Sequence, residues 1–141
     1  FIMKISARNQ LKGVVKSVTE GAVNGIVTIE IAEEKQISAT ISMSSIKELG
    51  LAEGKEAYAI IKSTEVMIAD STQKISARNQ LNGKVVSVEE GVVNGIVKVE
   101  IAPGVTVSST ISMSAIKELG ISAGKEVTAV AKATSVMIGI A

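Results

Sequence analysis

The chain contains neither cysteine nor histidine, a single proline, and only two aromatic residues, Phe1 and Tyr58. Without thiolates or imidazoles, zinc, haem and iron–sulfur sites lose their usual ligands. The same absence removes serine–histidine and cysteine–histidine catalysis. No disulfide can form, which fits a reducing compartment. With so few aromatics, any core must be assembled from Val, Ile, Leu, Met and Ala. Charge of one sign is missing too. Fifteen basic residues face fourteen acidic ones, so there is no general attraction to nucleic acid or to an acidic membrane surface. No window has the length and apolarity of a transmembrane span or the pattern of a secretory signal. Phe1 and Ile2 precede Met3, which looks like a natural start, and a cytoplasmic location is the expectation.

What the chain does have is an internal repeat. Shifted by 70 positions, it aligns with itself without a gap. Lys4-Ile-Ser-Ala-Arg-Asn-Gln-Leu11 becomes Lys74-Ile-Ser-Ala-Arg-Asn-Gln-Leu81, Val23-Asn-Gly-Ile-Val27 becomes Val93-Asn-Gly-Ile-Val97, and Ile46-Lys-Glu-Leu-Gly50 becomes Ile116-Lys-Glu-Leu-Gly120. Roughly three positions in five are identical between the copies, so the duplication is secure. It implies two domains, 4–70 and 74–141, joined by the polar link Asp70-Ser-Thr-Gln73. A unit of about 70 residues draws only a few kcal/mol from its own core, so oligomerisation or tight packing of the copies is expected.

Within one repeat, alternation dominates. Leu11, Gly13, Val15 and Ser17 share one face of a strand that ends at Glu20-Gly21. Asn24-Gly25 marks a tight turn or a strand-entry bend, after which Val27, Ile29 and Ile31 alternate with Ile26, Thr28 and Glu30. A turn at Glu33-Glu34-Lys35 has Pro103-Gly104 as its counterpart. In the following strand Ile37, Ala39 and Ile41 face inward, while Ser38, Thr40 and Ser42 share the other face. Ser44 to Gly50 reads as a short helix, capped by Ser44 or Ser45 and ended by Gly50 in the left-handed position. Lys55 to Ile68 forms the last strand pair or one long bent strand. The expected fold class is all-β: two tandem OB-like (Greek-key) barrels, each with one short helix.

The candidate chemistry is anion binding. Ser6, Ala7, Arg8 and Asn9 place a hydroxyl, a planar guanidinium, an amide and main-chain N–H groups within four residues, the donor types that an oxyanion needs. Taken alone, the segment reads more simply as a strand-entry turn with a solvated Arg. The hydroxyl row Ser38, Thr40 and Ser42, with Ser108, Thr110 and Ser112, is a second source of donors, though Ser and Thr also commonly decorate the wet face of a strand. Lys62 and Lys132 each interrupt an aliphatic run; either they reach an anion or they extend to solvent. The Gly21–Gly25 loop and its copy form either a concave run of N–H groups or a plain turn.

In combination, four motifs resemble a known family. Ser-Ala-Arg-Asn-Gln-Leu near the start, Gly-Ala/Val-Val-Asn after the first strand, Ile-Ser-Met-Ser before Lys-Glu-Leu-Gly, and Ala-x-x-Lys-x-Thr-x-Val-Met-Ile at the end are similar to those of the molbindins. These are Mop-domain molybdate/tungstate-binding proteins, and the likeness spans both repeats, as in two-domain members. It implies non-catalytic oxyanion storage or homeostasis in the cytoplasm, no cofactor beyond the bound molybdate or tungstate, no nucleic-acid or membrane partner, and a homo-oligomer, a trimer for two-domain chains, with sites between subunits or domains. By motif, one site class uses Ser6, Ala7, Arg8, Ser42, Ser45, Lys62 and Ser63, with Ser76, Ala77, Arg78, Ser112 and Lys132 as counterparts. A second class uses the loops Ala22-Val23-Asn24 and Val92-Val93-Asn94. Copy two departs from the pattern with Ala115 in place of Ser45 and Ala133 in place of Ser63.

Other classes of function fit less well. A single-stranded nucleic-acid-binding OB-fold needs stacking aromatics and a basic groove, and the chain offers neither. An enzyme built on Glu20, Glu30 and Glu48 has nothing ordering them about a nucleophile. A sensor module of a transport or transcription system would share the domain type, but neither a helix-turn-helix nor an ATP-binding loop is seen here.

Overall fold

A computed structural model describes residues 3–70 and 74–141. The expectations placed on Phe1 and Ile2, and on most of the polar link, lie outside the described residues. The chain divides into two compact units, each of which takes its last segment from the other sequence repeat. Among the described residues, one unit comprises 3–61 together with 132–141, and the other comprises 62–70 and 74–131.

Unit 1 is built from β1 (Asn9–Thr19), β2 (Asn24–Ala32), β3 (Lys35–Ser42), helix α1 (Met43–Glu48), β4 (Glu56–Ile61) and, from the far end of the chain, a 3-10 turn (Ala133–Ser135) and β10 (Met137–Gly139). Its antiparallel sheet runs β10-β4-β1-β2-β3. Strand β1 serves two neighbours: Asn9 to Val14 pair with Ile61 to Glu56, and Val14 to Thr19 pair with Glu30 to Ile26. A register shift between Val15 and Ser17 lets it turn from one to the other, because an irregularity of this kind bends a strand and increases its twist. The distal 3-10 turn packs on β3 and so brings the two ends of the sheet together. The result is a small curled barrel.

Unit 2 repeats this plan with β6 (Asn79–Glu89), β7 (Asn94–Ala102), β8 (Val105–Ser112), helix α2 (Met113–Glu118) and β9 (Glu126–Ala131), completed by the 3-10 turn Ser63–Glu65 and β5 (Met67–Ala69). Its sheet order is β5-β9-β6-β7-β8. Each repeat therefore lends its last strand to the other unit's sheet: Met67 to Ala69 pair with Val130 to Thr128, and Met137 to Gly139 pair with Ile60 to Tyr58. The exchange explains why the sequence repeat and the compact unit differ. Two homologous repeats present sheet edges with the same backbone geometry, so a terminal strand has equivalent main-chain hydrogen-bond partners in either.

The alternation expected from the sequence sets the interior. Val15, Val27, Ile29, Ile37, Ala39, Ala57, Ala59 and Ile61 are buried in unit 1, and their counterparts Val85, Val97, Val99, Val107, Val127, Ala129 and Ala131 are buried in unit 2. The exchanged segments are anchored in the same way, through Val136 and Val66, each 2% exposed. Burying such a side chain contributes about 1.5–3 kcal/mol, which helps small aliphatic barrels of this size to hold together.

The short helices begin two to three residues earlier than expected. The N-cap is Ser42, not Ser44 or Ser45: its backbone is extended and its side chain accepts the Ser45 N–H at 3.1 Å. Ser112 caps α2 through the Ala115 N–H at 3.1 Å. The last hydroxyl of the β3 row is thus also the first residue able to satisfy an orphan helix donor. Gly50 and Gly120 end the helices with φ of +62° and +60°, the left-handed position expected of them.

Candidate functional site

The segment before β1 is shaped by a side chain whose role the sequence reading missed. Gln10 donates to the carbonyls of Ile5 (3.3 Å) and Ala7 (3.1 Å), and its own oxygen accepts from the Met3 N–H at 3.0 Å. Gln80 repeats the first two bonds, to Ile75 at 2.8 Å and Ala77 at 2.9 Å. Ala7 turns inward against Tyr58, Ile60 and Met3. With the bend pinned by Gln10 and anchored by Ala7, Ser6 and Arg8 are both exposed, as are Ser76 and Arg78. The signal for this was the identical Asn-Gln pair following the Arg in both repeats.

A second cluster forms where β3 runs into α1. The Ser42 hydroxyl donates to Ser45 Oγ at 2.9 Å and lies 3.1 Å from Ser44 Oγ. In unit 2 Ser112 and Ser114 keep their 3.2 Å contact, but Ala115 has no hydroxyl to offer. Asn24 stands opposite Ser42 across the β2–β3 ladder, and the Val23 carbonyl accepts the Met43 N–H at 2.8 Å. Asn94 and Ser112, and Val93 and Met113, repeat both relationships. The loop Ala22-Val23-Asn24 and the hydroxyl cluster, assigned to separate site classes by motif, are neighbours within one unit. Gly25 makes this approach possible: a Cβ there would meet Ile46 Cδ1 at 2.6 Å and Met43 Sδ at 2.9 Å. The loops themselves are open to solvent, with Val23 74%, Val93 71% and Val92 99% exposed.

The lysines sit at the exchange points. Lys62 precedes the 3-10 turn that packs on β8, and Lys132 precedes the one that packs on β3; both side chains are exposed. Ser63 Oγ lies 2.8 Å from Thr110 Oγ1, and the buried Ser109 hydroxyl donates to the Val66 carbonyl at 2.5 Å. Ser109 was missed by the sequence reading, since its counterpart Ala39 occupies an ordinary inward position. The consequence for the motif-based assignment is direct. Lys62 and Ser63 belong to the unit that holds Ser76, Ala77, Arg78 and Ser112. Lys132 and Ala133 belong to the unit that holds Ser6, Ala7, Arg8, Ser42 and Ser45.

Chemically, each unit offers hydroxyl groups, a guanidinium, an ammonium and the amide of an Asn, a donor-rich and cationic set. Among the described residues there is no group of three or more carboxylates able to hold a metal ion. No described helix is long and apolar enough to cross a membrane. Tyr58, the aromatic that base stacking would need, is 5% exposed.

Comparison with known proteins agrees with this chemistry. The TOBE domain family model matches residues 5–68 and again 75–138. The molybdenum transport protein ModE of Azotobacter vinelandii is 37% identical over 98% of this chain, and the probable molybdenum-pterin-binding protein of Haemophilus influenzae is 60% identical over 48% of it. The chain spans about half the length of ModE, 52%, and 97% of the shorter relative when one repeat is aligned. A crystal structure of the cytoplasmic molybdate-binding protein ModG, with molybdate bound, superposes with a TM-score of 0.94 at 38% identity, covering 99% of this chain and 100% of that one. Two tandem matches and a full-length structural counterpart carry one conclusion: the chain belongs to the TOBE (Mop) domain family, with two copies of the domain in tandem.

Proposed function

We propose that the chain binds molybdate or tungstate reversibly, without making or breaking a bond, as a cytoplasmic store or buffer. The reading is supported above all by the full-length likeness to ModG with its bound molybdate, together with the donor types gathered in each unit. A tetrahedral dianion is well matched by Arg, Lys, hydroxyl and N–H donors. Each charge-assisted bond contributes about 1.5–3 kcal/mol, and micromolar affinity requires about 8 kcal/mol, so three to five such bonds suffice after the costs of association. Ser6, Arg8, Ser42, Ser45 and Lys132 are the contributors of unit 1, with Ser76, Arg78, Ser112, Lys62 and Ser63 those of unit 2; Ala7 and Ala77 take part through their main chains. The loops Ala22–Asn24 and Val92–Asn94 supply a further set of N–H groups and, through their exposed valines, a surface for assembly into a trimer. Titration calorimetry with sodium molybdate tests the binding, and absence of both heat and thermal stabilisation at millimolar ion ends it. Light scattering tests the assembly, and a dilute monomer contradicts it.

A second reading is favoured by one observation: the chain aligns with about half of ModE at 37% identity. On that reading the same oxyanion binding serves as the sensing part of a regulatory protein.

A further inference from the structure

The two alanines that depart from the motif pattern lie in the same repeat, Ala115 and Ala133. Taken along the sequence, repeat one keeps both hydroxyls, Ser45 and Ser63, and repeat two keeps neither. That arithmetic yields one complete donor set and one set short of two hydroxyls. The fold redistributes them. Residues 62–131 form one unit and residues 132–141 join residues 1–61 in the other, so Ser45 shares its unit with Ala133, and Ser63 shares its unit with Ala115.

Both placements are fixed by contacts. Ser45 accepts a hydrogen bond from Ser42 at 2.9 Å, while its own N–H bonds back to Ser42 Oγ at 3.1 Å. A hydroxyl that accepts still has its hydrogen to donate outward. At the other end of the pattern, Ser63 Oγ meets Thr110 Oγ1 at 2.8 Å, on the hydroxyl row of β8. The next buried anchor, Val66, is tied to the same strand by Ser109. In unit 1, the 3-10 turn that starts at Ala133 packs on β3, which carries Thr40 and Ser42, and Ala133 is buried there at 8% exposure.

We propose that the strand exchange gives the chain two chemically distinct oxyanion sets, each short of one hydroxyl: unit 1 binds with Ser45 but not through a side chain at Ala133, and unit 2 binds with Ser63 but not through a side chain at Ala115. Ser45 and Ser63 are then affinity-determining residues of different sites. This inference rests on the oxyanion-binding reading above.

The experiment is equilibrium dialysis of the intact chain against sodium molybdate, with bound molybdenum counted by elemental analysis over a range of ion concentrations. Four proteins are compared: wild type, S45A, S63A and the double variant. Alanine already occupies both positions in the other repeat, so the fold accommodates each change, and melting curves verify it. Each single substitution is expected to weaken a different subset of sites by roughly tenfold to a hundredfold. The double variant then weakens both subsets. A133S and A115S are the complementary gains, each tightening one subset only. If both single substitutions weaken the same subset, and the double variant leaves the remainder at wild-type affinity, the exchange-based assignment is overturned. A wild-type protein that takes up no molybdate at all overturns the oxyanion reading itself, which is a different result from either.

Discussion

The hydroxyl oxygens of Ser63 and Thr110 lie 2.8 Å apart although the residues are 47 positions distant and belong to different sequence repeats. That bond, with the one from Ser109 to the Val66 carbonyl at 2.5 Å, fastens the tail of the first repeat to the barrel of the second. The tail of the second repeat is received by the first barrel through β10 and β4. The segments that complete each sheet also carry Lys62 and Lys132, so on the proposed reading stability and site composition are coupled.

Removal of residues 132–141 strips β10 from unit 1 and leaves β4 with an unpaired edge, while unit 2 keeps all of its strands. Hydrogen exchange is expected to accelerate at residues 57–61 and to change little at 127–131. Edge strands and unanchored segments open first, so the contrast reads out the exchange. Equal acceleration in both strands would mean that the tail does not belong to unit 1.

Ser109→Ala removes a buried donor and leaves the Val66 carbonyl without that partner. Exposure at Ser109 is 0%, so water does not easily replace the hydroxyl. A loss of about 1–3 kcal/mol in unfolding free energy is expected, measured by urea denaturation. The counterpart Ala39 occupies the same inward position in unit 1, so the substitution creates no steric conflict, and any loss reports the hydrogen bond.

The barrel was legible in the sequence because its signals are local. Alternation at Leu11–Val15 and Ile37–Ser42 gave the faces, and Gly50 and Gly120 the helix ends, but Ser17, expected on the face of Val15, lies beyond the register shift, exposed and opposite Thr28. The cap at Ser42 was misplaced because two more serines, Ser44 and Ser45, follow within the same turn and propensity alone does not choose among the three; the extended backbone of Ser42 does. The exchanged tails were invisible for a deeper reason. A strand from Met67 to Ala69 carries the same pattern whichever sheet it joins, and two homologous edges offer it the same partners. The oxyanion chemistry came from four motifs in order, whereas the grouping of Lys62 with Ser112, and of Lys132 with Ser42, depends on topology that no local pattern encodes.

Gly25→Val tests the close approach that sets the loop beside the hydroxyl cluster. The added Cβ alone falls 2.6 Å from Ile46 Cδ1 and 2.9 Å from the Thr19 carbonyl oxygen. Overpacking of this kind typically costs about 1–3 kcal/mol. Chemical denaturation is expected to show that loss, and molybdate affinity to fall with it, since Asn24 and Ser42 flank the displaced backbone. Unchanged stability would mean that the helix yields without cost.

The charged groups separate binding from folding most sharply. The Arg8 and Lys132 side chains are exposed and form no ion pair or side-chain hydrogen bond among the described residues, so Arg8→Met and Lys132→Met are expected to leave the melting temperature without ligand within a few degrees of wild type. In contrast, loss of a charge-assisted contact to a dianion weakens affinity by roughly 10- to 150-fold, and the thermal stabilisation produced by a fixed molybdate concentration shrinks accordingly. Arg8→Lys keeps the charge but not the planar two-pronged donor, so its affinity falls between those of wild type and Arg8→Met. Added salt screens an exposed cation more than a buried one, and the wild-type affinity is expected to decline with ionic strength more steeply than that of Lys132→Met. Equal molybdate affinity in all four proteins would place the ion away from these side chains.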